Sequence, residues 1–121
     1  MARKPKPFGI SDAPLNGAPG LAVRGEIDLL AVPSLESALD AMICDTMGAL
    51  VLDLCDAEFL DSSGLGVILR ARALLAREDR ALAIVCAPGP VRRMFEVVGI
   101  ADLLFLYASR EEAAAALVPA D

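Results

Sequence analysis

The sequence contains no histidine and no tryptophan, and its 121 residues include only four phenylalanines and one tyrosine. Histidine is the usual general base of serine and cysteine hydrolases, so its absence argues against that class of enzyme. Hydrophobic residues nevertheless make up 56% of the chain, which excludes a disordered polymer. With so few aromatic side chains, the core is predicted to be aliphatic and rich in alanine.

Long apolar runs and an excess of positive charge are also missing. No run approaches the roughly 18 to 20 apolar residues that a membrane-spanning helix requires, and the charged N-terminus has no apolar stretch typical of a secretion signal. Seventeen acidic residues against 11 basic ones give a net charge of −6, which repels phosphate backbones and anionic lipid. We therefore expect a cytoplasmic protein that binds neither nucleic acid nor membrane directly.

The three cysteines are widely spaced and include no Cys-x-x-Cys pair, which fits neither a disulfide framework nor a zinc site. Cys44, Cys55 and Cys86 are each predicted to be small core residues, although a reactive thiol at Cys55 remains open.

Motifs for other cofactors and enzymes are incomplete. The segment around Ser63 is not a Gly-x-Ser-x-Gly elbow, because Asp61 occupies the position of the first glycine. Gly64-x-Gly66 lacks the third glycine of a dinucleotide fingerprint, since Leu69 stands there. The nearby acidic side chains could gather magnesium, but a solvated acidic loop is the favoured interpretation. We expect no metal and no cofactor.

The spacing of apolar residues predicts strands that alternate with helices. Two short apolar runs, Ala49 to Leu54 and Ala81 to Cys86, are typical of strands buried on both faces. Helices are expected after Pro33, from Ser62 to about Arg77, from Val91 to Val98, and from a Ser109–Glu112 capping box to near Val118. Residues 55–60 are predicted to form a loop, and Arg70, Arg77 and Arg80 to face solvent.

This pattern predicts an α/β fold with a mostly parallel sheet of four to five strands, an N-terminal edge hairpin and about four helices. Residues 1–19 are rich in proline, which limits them to a tail with a short edge strand near Phe8 to Ser11. Residues 20–118 are expected to form a single domain.

The candidate site is the segment Asp61-Ser62-Ser63-Gly64-Leu65-Gly66, where a strand segment gives way to a helix. The first turn of a helix offers free N–H groups and the positive end of the helix dipole, both of which favour an anion such as phosphate. The glycines were expected to leave this turn open to a partner. On these residues alone, an ordinary N-cap at Asp61 or Ser62 remains the simpler interpretation.

A longer segment of the sequence favours a functional site over an ordinary N-cap. Residues Val51 to Leu69 resemble the signature of the STAS family of anti-sigma-factor antagonists. The Gly25-Glu-Ile-Asp28 turn and the segment Val91 to Ile100 resemble two further parts of the same family pattern. The resemblance extends from about Leu21 to Leu117.

The resemblance implies that Ser63 is a phosphoacceptor and that the protein is a binder and substrate rather than an enzyme. Its partner would be a serine-kinase anti-sigma factor, whose sequestration releases a sigma factor until phosphorylation ends the binding and a serine phosphatase restores it. The partner-binding residues would be Asp28, Asp61, Ser62, Gly64, Leu65 and Gly66. Asp28 could equally serve only the local backbone of its turn.

Two features depart from the family pattern. Ala31 replaces a threonine that often caps the first helix, and prolines at 14 and 19 stand where relatives have a longer N-terminal hairpin. An alternative function remains open. The chain could be an unmodified scaffold subunit of a stress-sensing or membrane-transporter-associated complex.

Overall fold

The computed structural model describes residues 6–117 of the chain. Its helices are α1 (Val32–Asp45), α2 (Ser62–Ala76), α3 (Pro90–Val97) and α4 (Arg110–Ala116), with a 3₁₀ turn at Ala101–Leu103. Its strands are β1 (Gly9–Asp12), β2 (Gly20–Ile27), β3 (Leu50–Asp53), β4 (Ala57–Leu60), β5 (Leu82–Val85) and β6 (Phe105–Tyr107).

The strands form one six-stranded sheet in the order β1-β2-β3-β5-β6, with β4 paired to β2. Only β1 is antiparallel to its neighbour; every other pairing is parallel. The predicted α/β class, the mostly parallel sheet, the N-terminal edge hairpin and the four helices are confirmed. The prolines at positions 14 and 19 leave the edge pairing of β1 with β2 in place.

The prediction of a loop over residues 55–60 is wrong from Ala57 onward, where β4 forms. Its residues pair in parallel with Gly25–Ile27, which extends β2 beyond its contact with β3. Only Leu60 of this strand is buried, so the segment carries no apolar run that a sequence pattern could detect. Because β4 leads directly to the start of α2, it fixes the position of the candidate site.

Side chains from both faces of the sheet form the core. Helices α1, α2 and α3 cover one face through a large aliphatic cluster that includes Leu39, Ile68 and Phe95. Helix α4 covers the other face through a smaller cluster of Val51, Val85 and Ala113. The strands between these two layers are buried on both faces, as the apolar runs predicted.

Several sequence predictions need correction. Cys86 is buried, but Cys44 and Cys55 are exposed rather than core residues. The capping box of α4 is present, since the Glu112 N–H donates to Ser109 Oγ. That helix ends at Ala116, and Val118, where we expected its end, lies outside the described residues.

Arg80 is not in solvent, because only 6% of its side chain is exposed. Its guanidinium donates to the carbonyl oxygens of Ile43 and Gly48, both at 2.8 Å, and to Thr46 Oγ1 at 2.9 Å. These acceptors lie at and just beyond the C-terminal end of α1, where helix carbonyls lack intrahelical partners. Arg80 therefore stabilises the end of a helix that lies far from it in sequence.

Candidate functional site

Helix α2 begins immediately after β4, and Asp61 is its N-cap. The backbone of Asp61 is extended, with φ of −100°, and its Oδ1 atom accepts the Gly64 N–H at 3.0 Å. The same oxygen accepts a second hydrogen bond from Ser63 Oγ at 2.6 Å. Asp61 therefore caps helix α2, and the same carboxylate accepts a hydrogen bond from the hydroxyl of Ser63, the predicted phosphoacceptor.

The Asp61 carboxylate is stabilised in its charged form. The hydrogen bond from the Ser63 hydroxyl and that from the Gly64 N–H together lower the pKa of Asp61 below its ordinary value. The carboxylate is consequently ionised at neutral pH and acts only as an acceptor towards Ser63.

The two adjacent serines differ in their surroundings. Ser62 is exposed, whereas Ser63 is half-buried. Within the part of the chain that the structure describes, the Ser62 side chain makes no hydrogen bond, while the Ser63 hydroxyl is held by Asp61. Both lie in the first turn of α2, where free N–H groups favour an anion.

The expectation that Gly64 leaves the helix start open is wrong. Gly64 is buried, and a Cβ atom there would lie 2.7 Å from Ile27 Cγ2 and 2.8 Å from the Ile27 carbonyl oxygen. Gly66 is exposed, and a Cβ atom there would meet nothing within 4 Å. Leu65 belongs to the core, so Gly64 and Leu65 attach α2 to the sheet while Gly66 faces outward.

Asp28 organises the backbone of its own turn, and that turn lies close to the start of α2. Its Oδ1 accepts the N–H groups of Leu30 and Ala31 at 3.0 and 3.2 Å, which fixes the turn before α1. Ala31 is the N-cap of α1 and has no side-chain cap, as its sequence departure predicted. The turn also lies beside the start of α2, because the Asp61 N–H donates to the Ile27 carbonyl at 3.2 Å.

Exposed apolar side chains near this helix start were missed by the sequence reasoning. Leu29 is 69% exposed and Leu30 is 88% exposed, both in the turn that Asp28 organises. Phe59 on β4, two residues before Asp61, is 47% exposed. We call Leu29, Leu30, Ser62 and Ser63 the Ser63 surface. The only signal in the sequence was a Leu-Leu pair outside any helical period.

A comparison with protein families adds to this geometry. The model of the STAS domain matches residues 15–113, which is most of the chain. The chain belongs to the STAS domain family.

Several related proteins are described as anti-sigma factor antagonists. This STAS domain is 33% identical over 82 residues to the anti-sigma-B factor antagonist of Staphylococcus aureus, covering 68% of this chain and 76% of that protein. It is 28% identical to the anti-sigma-F factor antagonist of Mycobacterium tuberculosis, covering 90% and 88% of the two chains. The crystal structure of an anti-sigma factor antagonist from Mycobacterium paratuberculosis superimposes with a TM-score of 0.83 at 30% identity, over 91% and 93% of the chains.

The described part of the STAS domain contains neither a metal-binding cluster nor a membrane-spanning helix. Across residues 6–117, no group of three or more cysteine and carboxylate side chains is arranged to hold a metal ion. No helix in this range is long and apolar enough to cross a membrane.

Proposed function

We propose that this STAS domain is an anti-sigma factor antagonist controlled by phosphorylation of Ser63. In the unmodified state it binds a serine-kinase anti-sigma factor, which then releases its sigma factor. The kinase transfers phosphate from ATP to Ser63 and the complex dissociates, until a serine phosphatase removes the phosphate. The observation that carries this proposal is the Ser63 hydroxyl, which is fixed in the first turn of α2 beside a surface suited to a partner.

The helix start can accept a phosphate without loss of the fold. Its free N–H groups and the helix dipole stabilise an anion by about 0.3 to 1 kcal/mol at exposed sites. Ser63 is half-buried at the end of an element, so its phosphate would project outward rather than displace core side chains. The modification therefore changes the surface of the protein more than its interior.

The Ser63 surface has the composition of a docking site for another protein. Leu29 and Leu30 present apolar side chains to solvent in the turn beside the start of α2. Removal of such apolar surface from water favours association when a partner covers it. Asp28 accepts hydrogen bonds from the backbone of the turn that carries the two leucines, so it holds them in position.

Phosphorylation would oppose that docking. A phosphate adds about −1.5 to −2 charge units and must lose water if a partner covers it. Asp61, already ionised, lies within hydrogen-bonding distance of Ser63 Oγ and adds to the local negative charge. The expected result is loss of binding through a local change in charge and packing.

In this proposal the STAS domain acts in the cytoplasm as a substrate and binding partner and performs no catalysis itself. It needs no cofactor, because the kinase supplies the nucleotide site and its metal. Its net charge of −6 disfavours direct contact with nucleic acid, so control of transcription runs through the anti-sigma factor.

The test is incubation of the purified chain with its cognate anti-sigma factor kinase and ATP, followed by intact-mass spectrometry. We expect one added phosphate on wild type and on Ser62→Ala, and none on Ser63→Ala. Full phosphorylation of the Ser63→Ala variant would refute the site. A wild-type chain that takes no phosphate and runs as a large assembly in light scattering would favour the scaffold alternative.

A further inference from the structure

We infer that Asp61 is a positioning residue that directs phosphorylation to Ser63 rather than to Ser62. The inference rests on the proposed function and adds a reason why one of two adjacent serines is chosen. Exposure alone would choose Ser62, because Ser62 is exposed and Ser63 is half-buried. The difference that favours Ser63 is its hydrogen bond to Asp61.

The geometry of that bond orients the acceptor oxygen. Ser63 Oγ donates to Asp61 Oδ1 at 2.6 Å, a short distance typical of a hydroxyl bound to a charged carboxylate. Because the hydroxyl hydrogen points at Asp61, the oxygen lone pairs point away from the carboxylate. The Gly64 N–H holds the same Oδ1 atom at 3.0 Å, which keeps the carboxylate itself from rotating.

The transfer reaction needs an oxygen placed in this way. Ser63 Oγ attacks the γ-phosphorus of ATP, and the new O–P bond forms as the bond from the γ-phosphorus to the bridging oxygen breaks. ADP leaves with the bonding electrons, and the hydroxyl proton is released to water. Positioning contributes strongly to such reactions because the protein has little covalent chemistry to perform.

Ser62 lacks a comparable arrangement. Its hydroxyl has no hydrogen-bonding partner within residues 6–117, so no contact in this range fixes the direction of its oxygen. A kinase that bound the helix start would meet one oriented hydroxyl and one free hydroxyl. Asp61 thereby acts through Ser63 and makes no contact with the nucleotide in this account.

Two substitutions at position 61 separate positioning from helix capping. Asn is as good an N-cap as Asp and keeps an oxygen acceptor, whereas Gly is only slightly worse as a cap and removes the acceptor. Asp61→Gly therefore deletes the bond to Ser63 while α2 remains capped adequately. Asp61→Asn is the matched rescue variant.

The experiment measures phosphorylation of each variant by the cognate kinase, with tandem mass spectrometry to quantify phosphate on Ser62 and on Ser63. For Asp61→Gly we expect kcat at Ser63 to fall about tenfold, as for loss of one charge-assisted hydrogen bond, with KM little changed and phosphate appearing on Ser62. Asp61→Asn should keep the preference for Ser63. A helix that was merely weakened would slow both serines equally and would not change their ratio.

The outcomes distinguish this inference from the function on which it rests. Wild type modified at Ser63, together with an Asp61→Gly variant of unchanged rate and unchanged site ratio, would overturn the inference alone. A wild-type chain modified at neither serine would overturn both. If Asp61→Gly does not fold by circular dichroism, Asp61→Asn carries the test, because loss of the Ser63 preference in that variant would also contradict the inference.

Discussion

Gly64 on α2 lies directly against Ile27 on β2, so close that a Cβ atom at position 64 would come within 2.7 Å of Ile27 Cγ2. The Ile27 carbonyl oxygen would be only 2.8 Å away, and backbone cannot move aside as a flexible side chain can. This contact sets the distance between the helix start and the sheet. It also keeps Asp61 and Ser63 beside the turn that carries Leu29 and Leu30.

We predict that Gly64→Ala destabilises the protein by about 1 to 3 kcal/mol, the usual cost of inserting a methyl group into a packed contact. Gly66→Ala is the matched control in the same helix. It should raise stability by up to about 1 kcal/mol, because a Cβ atom there meets nothing within 4 Å and alanine favours helix. Urea unfolding measures both, and equal effects of the two substitutions would contradict the assigned contact.

A partly buried ion pair links elements on the α4 side of the sheet. Arg110 Nη1 donates to Asp53 Oδ2 at 2.7 Å, and Arg110 Nη2 donates to the Pro14 carbonyl at 3.0 Å. Burial raises the pKa of Asp53, but hydrogen bonds from Cys55 and Arg110 outweigh burial and hold the pKa below its usual value. The pair joins β3, α4 and the N-terminal segment.

Arg110→Met should therefore lower the free energy of unfolding at pH 7 by about 1 to 2 kcal/mol, less than for a fully buried pair because Arg110 is partly exposed. The folded-state pKa of Asp53 is depressed, so its contribution is present above the ordinary aspartate range and is lost as pH falls through the folded pKa. The wild-type advantage over Arg110→Met should be complete at pH 7 and should shrink as pH falls below the ordinary aspartate pKa of 3.8.

Chemical denaturation across this pH range provides the measurement. Arg70→Met is the control, because the Arg70–Asp40 pair is exposed and a surface ion pair of this kind contributes little to stability. An Arg110→Met effect as small as that of the control, or one that does not change with pH, would show that the ion pair is not a stabilising contact.

The thiol of Cys55 should react slowly despite the exposure of the residue. Partial burial of its sulfur, together with the hydrogen bond to the Asp53 carboxylate, raises the pKa of Cys55 to about 12. Only the thiolate is an effective nucleophile, so at pH 8 iodoacetamide should modify the exposed Cys44 at least about tenfold faster. Peptide mapping over time gives both rates. Similar rates for Cys44 and Cys55 would contradict the assigned surroundings of the thiol.

The parts of the fold that sequence reasoning predicted are those encoded by local patterns. The apolar runs of β3 and β5 and the helical period of α2 each arise within one segment. Strand β4 depends instead on pairing with distant residues of β2, and only one of its own side chains is buried. A short half-exposed strand of this kind leaves almost no periodic signal.

The candidate site also combines features that are encoded locally with features that depend on distant residues. The helix start at Asp61 could be predicted from local residues, whereas Ser63 was singled out only by the longer resemblance to the STAS family. The burial of Gly64 against Ile27 could not be predicted, because the two residues meet only after β2, β4 and α2 assemble. The prediction that Arg80 faces solvent was wrong for a related reason. The carbonyl oxygens that accept its hydrogen bonds lie at and just beyond the end of another helix, α1.

The central claim is that unmodified Ser63 permits binding of the anti-sigma factor and that its phosphate prevents it. Isothermal titration of the cognate anti-sigma factor with unmodified chain and with chain phosphorylated on Ser63 tests this most directly. We predict that the phosphate weakens binding by at least about a hundredfold, because a charged group must be desolvated beside the Asp61 carboxylate. Leu30→Ser should weaken binding of the unmodified chain, and Met47→Ser, an equally exposed apolar side chain far along the sequence, should not. Equal affinity of the phosphorylated and unmodified chains would contradict the account.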